Sequence, residues 1–177
     1  MRRPIPLLVV AALLALLGTQ AAPAADDSPG EVKARFVIQL LKYVTWPEAG
    51  AAAGAPFVVG VVGDDAFAAT LTQIAGGKEA QGRPVEVRSL SEGANTEGVH
   101  LLYLGGRDVS SLREVARSHH GDAVLTVADR FEFPELGGDV GLELVGGRVS
   151  FSISRRKSIR GDFVISSKLM RLASEVK

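Results

Sequence analysis

The side chains with the chemistry to act on a substrate are few, and they are badly spaced for it. His119 and His120 are metal-ligand types, but adjacent positions on a helix point apart, so a solvated helix end is the plainer reading; His100 stands alone among apolar flanks. Asp64-Asp65 follows an apolar run and has the composition of a general acid–base pair, yet an aspartate there caps the next helix more readily. Serines are numerous, but no GxSxG elbow occurs and no Ser-His-Asp set can be placed. Gly60-Val-Val-Gly63 lacks the GxGxxG run of a dinucleotide fold, and Gly76-Gly77-Lys78 continues into Glu79 where a phosphate loop needs Ser or Thr. These residues imply no cofactor and no catalytic metal, and they favour a binding or regulatory module over an enzyme.

Two features suit recognition. Arg155-Arg156-Lys157 with Arg160 is the densest charge cluster, a solvated face or the docking site of an acidic partner. Trp46 is the only tryptophan. Beside Pro47 it reads as a packing anchor at a helix end, with stacking on a ligand as the alternative.

The amino terminus sets the compartment. Arg2 and Arg3 precede an apolar run from Leu7 to Leu17, and Ala22-Pro23-Ala24 places small residues at the −3 and −1 positions of a cleavage site. The run of 11 residues is short of the ~20 that a membrane span needs. A signal peptide over residues 1–24 and a mature domain over residues 25–177 follow, with a retained anchor as the alternative. A bacterial periplasm fits. Removing Arg2 and Arg3 from the 20 basic residues leaves 18 against 20 acidic ones, which argues against nucleic acid and anionic membranes. There is no cysteine, so the fold holds without disulfides and thiol chemistry is excluded.

The remaining 153 residues suit one domain. Ser28-Pro29-Gly30-Glu31 is a capping box with proline at the first helical position, and Val32, Phe36, Leu40 and Val44 predict an amphipathic helix that runs to Trp46-Pro47. Phe57–Val62 predicts a strand buried on both faces, followed by a helix with Phe67, Leu71 and Ile74 inward and Gly76-Gly77 at its end. Further strands are predicted at Val85–Leu90, Val99–Leu104 and Val124–Val127, with a helix at 110–118. Alternation at Val140, Leu142 and Leu144, then at Val149, Phe151 and Ile153, predicts a hairpin about Gly146-Gly147 with one wet face. A last helix carries Leu169, Leu172 and Val176 inward behind a Ser166 cap. The fold class is α/β: one domain, a mostly parallel Rossmann-like sheet flanked by helices, and a C-terminal antiparallel hairpin.

The order of these segments resembles the YfiR (HmsC-like) family of periplasmic proteins. The resemblance rests on Lys33-Ala34-x-Phe36, Trp46-Pro47, Phe57–Phe67, Gly82-Arg83-Pro84-Val85, Val99–Gly105 and Val124–Asp129, then Gly137-Gly138, Gly147-Arg-Val-x-Phe151 and Ile165–Ala173, over residues 31–173. It implies a periplasmic regulator that forms dimers and holds an inner-membrane diguanylate cyclase inactive by direct contact. Cyclic di-GMP and biofilm formation are thereby lowered, and an outer-membrane lipoprotein can sequester the regulator. The contact is expected at an apolar patch by the last helix, including Leu169, rimmed by Arg155, Arg156 and Arg160. Two departures stand out. The redox sensing of cysteine-bearing relatives is excluded here, and Asp139 follows the double glycine where relatives tend to be apolar. A rival reading is a small-ligand sensor for another membrane receptor, with a pocket between Trp46-Pro47 and the C-terminal segment. A third, a hydrolase, has no residue set to carry it.

Overall fold

The run Phe57–Val62 has no polar side chain, and a strand of that kind needs cover on both faces. The computed structural model, which describes residues 27–47, 54–119, 123–155 and 163–177, supplies that cover. In chain order the elements are α1 (Pro29–Leu40), β1 (Val44–Thr45), β2 (Phe57–Val62), α2 (Asp65–Ala75), β3 (Glu79–Ala80), β4 (Arg83–Leu90), β5 (Leu101–Leu104) and α3 (Val109–Ser118). There follow β6 (Leu125–Ala128), a 3-10 turn (Phe133–Leu136), β7 (Val140–Val145), β8 (Arg148–Ile153), β9 (Val164–Ile165), α4 (Ser167–Leu172) and β10 (Glu175–Val176).

Eight strands form one sheet in the order β10-β8-β7-β6-β5-β2-β4-β3. The five from β4 to β7 run parallel; β7 and β8 form the antiparallel hairpin, and β10 returns parallel to β8. Successive side chains of a strand point to opposite faces, which divides the apolar run between two cores. Val59 and Val61 join Leu101, Tyr103, Leu125 and Val127 under α1 and α2. Val58 and Val62 join Leu102, Leu104, Leu112 and Phe133 under α3 and the 3-10 turn. The fold is thus the single α/β domain expected from the sequence.

Local signals act where they were read. Ser28 Oγ accepts from the Glu31 amide at 3.3 Å while Glu31 Oε2 accepts from the Ser28 amide at 2.7 Å, which closes the capping box. Asp64 caps α2 and Ser166 caps α4 at the positions expected; α3 begins on a cap, Asp108, that was not among the expectations.

Three expectations need correction. The first helix stops at Leu40, not at Trp46-Pro47. The Lys42 and Tyr43 amides turn back onto the carbonyls of Gln39 and Leu40, and Val44–Thr45 pairs antiparallel with Val164–Ile165. Val44 is buried as the helical spacing suggested, but in a strand, because a partner 121 positions away captures it. Leu172 is 59 % exposed rather than inward; it is the last residue of a six-residue helix, and the chain turns extended at Ala173 to enter β10. The wet face of the β7–β8 hairpin is confined to its tip. Ser152 and Ser154 are buried, and Ser152 donates to the Phe131 carbonyl.

Asp139 takes the place of missing backbone pairing. It is fully buried just before β7. Its Oδ2 accepts from the Thr126 amide at 2.7 Å and the Thr126 hydroxyl at 2.6 Å, and its own amide donates to Thr126 Oγ1 at 3.1 Å. The side chain thereby continues the β6–β7 ladder one step beyond Val127↔Val140. Asp139→Ala should lower stability by about 3 kcal/mol, the upper range for bonds to a charged acceptor, and Thr126→Val by roughly 1–2 kcal/mol. Urea melts of the two variants check the order.

Candidate functional site

In an open α/β sheet, ligands gather at the carboxyl ends of the strands, where the chain departs in opposite directions from neighbouring strands. Here that point lies between β2 and β5. Gly63 (φ +82°) leaves β2 and Gly105 leaves β5; a Cβ on Gly63 would stand 2.7 Å from the Gly105 carbonyl oxygen, so the two loops touch. The Asp64-Asp65 pair is divided between two structural tasks. Asp64 Oδ1 accepts from the Phe67 amide at 2.8 Å, and Asp65 Oδ1 accepts from the Ser89 hydroxyl at 2.6 Å. Lys33 on α1 reaches Asp129 after β6 at 2.6 Å, which joins two segments of the family pattern. Tyr103 stacks on Phe67 at 4.1 Å, and burial first, then Asp129 and Asp64, push its phenol far up from the ordinary value. On this face the polar groups serve one another.

The amino ends of β2 and β5 hold an aromatic cluster. Trp46 is 8 % exposed, 5.2 Å from Phe57 and edge-on to His100 at 5.8 Å. Its Nε1 has no hydrogen-bond partner among the described residues. Arg83 lies 3.9 Å over the Phe57 ring and donates to the carbonyls of Ala55 at 2.5 Å and Pro56 at 3.1 Å. His100 Nδ1 accepts from the Val58 amide at 3.2 Å, and its Nε2 stands 3.2 Å from Arg83 Nη2. Neutral imidazole has one acceptor nitrogen, so these contacts compete. Burial first, then the Arg83 charge, holds the His100 pKa below its ordinary value. Gln81 (φ +52°) ties this end to the first helix, its Nε2 donating to the carbonyls of Leu41 at 2.6 Å and Val44 at 2.9 Å.

The C-terminal segment carries the residues expected to meet a partner. Arg155 follows β8, and its amide donates to the Lys177 carbonyl. Leu169 is buried under α4, whereas Val164 is 60 % exposed on β9 and Leu172 is 59 % exposed at the end of α4. Arg156 and Arg160, like His120 and residues 1–24, where a signal peptide is expected, lie outside the described residues. His119 bridges α3 to the loop before β5, its Nε2 3.1 Å from Thr96 Oγ1. Among the described residues no three His, Asp or Glu side chains converge to hold a metal, and no helix is long and apolar enough to cross a membrane.

Sequence reasoning missed Gln81 and the Asp139–Thr126 clasp. Gln81-Gly82 was a legible hairpin signal, because two positive-φ positions between β3 and β4 suit a two-residue turn. The clasp had no local signal.

The fold and these ends define a doubly wound α/β protein with a lengthened sheet and its polar groups spent on structure. The profile of the YfiR/HmsC-like family matches residues 30–174, and the chain belongs to that family, one of periplasmic regulators. No curated protein matches the chain.

Trp46→Ala should cost ~3–5 kcal/mol in a denaturant melt, as aromatic truncation in a core does, whereas Trp46→Phe should cost much less because Nε1 makes no bond to lose. For His100 the unfolded chain takes up its proton near pH 6.5, before the folded chain does. Stability should therefore fall as pH drops from 6.5 toward the lower folded value. His100→Gln should remove that part of the loss, as urea melts at pH 5.5 and 7.5 would show.

Proposed function

We propose that the protein is exported through cleavage of residues 1–24 and restrains an inner-membrane diguanylate cyclase by direct contact with its periplasmic domain. The observation that carries this reading is the family match over residues 30–174. Release comes from an outer-membrane lipoprotein that competes for the regulator, and the regulator acts as a homodimer. The docking patch is built on the C-terminal segment. Val164 and Leu172 offer exposed apolar surface there, and Leu169 holds α4 against the core beneath them. Arg155, with Arg156 and Arg160 following it in the sequence, supplies the cationic charge that steers an acidic partner. Large apolar side chains left in water beside one short helix suit a contact better than a solvated face.

Deleting the gene should raise cyclic di-GMP and surface attachment, and the chain expressed without residues 1–24 should fail to restore repression. Leu172→Asp should weaken partner binding at unchanged melting temperature. Reversing the three arginines to Glu should weaken it more at low salt than at high salt. Unchanged cyclic di-GMP in the deletion strain would defeat the regulatory reading; unchanged binding by both patch variants would defeat only the surface.

A further inference from the structure

A second site lies on the opposite face from the Lys33–Asp129 pair, between the loop 91–96 and α3. It is a cavity of about 330 Å³, within the size range of small-molecule pockets. Its apolar wall is Val62, Leu102, Leu104 and Val115, and Glu92 and Glu114 stand among its polar lining. Arg107 enters this cavity from the turn after β5, where Gly106 (φ +57°) redirects the chain. A Cβ on Gly63 would lie 3.5 Å from Arg107 Nε, an ordinary contact distance, so the arginine packs against the turn that leaves β2.

The Arg107 side chain is only 8 % exposed. Its Nε and Nη2 have no hydrogen-bond partner among the described residues. The nearest opposite charge is Glu92 Oε1, 2.9 Å from Nη2 but out of hydrogen-bond alignment, on a side chain 80 % exposed. A buried guanidinium left with unmade bonds is costly. Nε and Nη2 are moreover the two donors of one edge of the fork, the edge that grips a carboxylate with two parallel bonds. Glu92 guards that edge without using it. Arg107 is the one Lys or Arg in the lining, which Glu92, Glu114 and His119 share, so with neutral imidazole the formal charge is −1. That opposes a phosphate dianion more than a monoanion, and it is the unmade edge of Arg107 rather than net charge that calls for a carboxylate. The apolar wall suits an aliphatic body.

We propose that this cavity binds a small monocarboxylate with an aliphatic body, which takes the Nε/Nη2 edge of Arg107 in place of Glu92 and lies against Val62, Leu102, Leu104 and Val115. The site is independent of the cyclase contact, and its test does not involve that partner. The purified exported chain is titrated with 4-methylpentanoate and with neutral 4-methylpentanamide by calorimetry, and the site is located by amide shifts of Thr96 and Ser111. The acid should saturate one site per chain, with the amide at least about tenfold weaker, or about 1.4 kcal/mol. Glu92→Gln should tighten the acid several-fold by removing its competitor, and Arg107→Gln should abolish the preference for acid over amide. Inorganic phosphate should not displace the acid. Equal binding of acid and amide, no saturation by the acid in either wild type or Glu92→Gln, or displacement by phosphate would each overturn the proposal. Should Arg107→Gln fail to fold, Glu92→Gln decides, since its exposed side chain leaves the core untouched; unchanged acid affinity there counts against the site.

Discussion

Burial of both faces of β2, β5 and β6 is the constraint on which the rest depends. These strands expose almost nothing, and the chain has no disulfide to hold them otherwise. One face requires α1 and α2; the other requires α3 and the 3-10 turn. The helices are fixed in place by capping residues that also begin them, so Asp64 and Asp108 set both where a helix starts and where the loop before it must lie. Of the Asp64-Asp65 pair, the first is taken up by this task and the second by the Ser89 hydroxyl.

The same constraint explains the tail. The α1 face of the sheet extends over β7 and β8 through Val140, Leu142, Phe151 and Ile153, and Phe163, Ile165 and Leu169 close it from the C-terminal side. Pairing of β9 with β1 and of β10 with β8 anchors that closure at both ends. What remains outward, Val164 and Leu172, is surface the core does not use. Val164 lies on a strand paired with β1 and Leu172 on a helix capped by Ser166, so both outward side chains stand on hydrogen-bonded elements.

The two ends of the parallel strands are spent differently. At the amino ends, Arg83 is engaged by two carbonyls and a ring, and burial together with its charge lowers the His100 pKa. At the carboxyl ends Arg107, its side chain 8 % exposed, has only the ion pair to Glu92 and leaves the hydrogen bonds of one edge of its fork unmade. The two arginines thus contrast, one engaged by backbone carbonyls and a ring, the other with an edge of its fork facing a cavity. Beside it the loops after β2 and β5 touch, since a side chain on Gly63 would strike the Gly105 carbonyl.

Much of this was legible in the residues themselves. Caps, glycine stops and strand alternation lie within a turn or a few positions of the structure they set, so the capping box at Ser28, the buried run at Phe57–Val62 and the Gly146-Gly147 hairpin follow from local physics. The family, too, could be seen in the order of its segments. The end of α1, the inward serines of β8, the Asp139–Thr126 clasp and the place of Arg107 could not. Each depends on a partner remote in the chain: Val44 on Ile165, Ser152 on Phe131, Asp139 on Thr126, and Arg107 on the loop 91–96. A strand pair or a buried polar bond gains its energy only when both halves arrive, and no window of local sequence contains both. The sequence by itself determined the elements and the class of protein; only the tertiary structure decided which polar groups are satisfied, and so which remain available to bind.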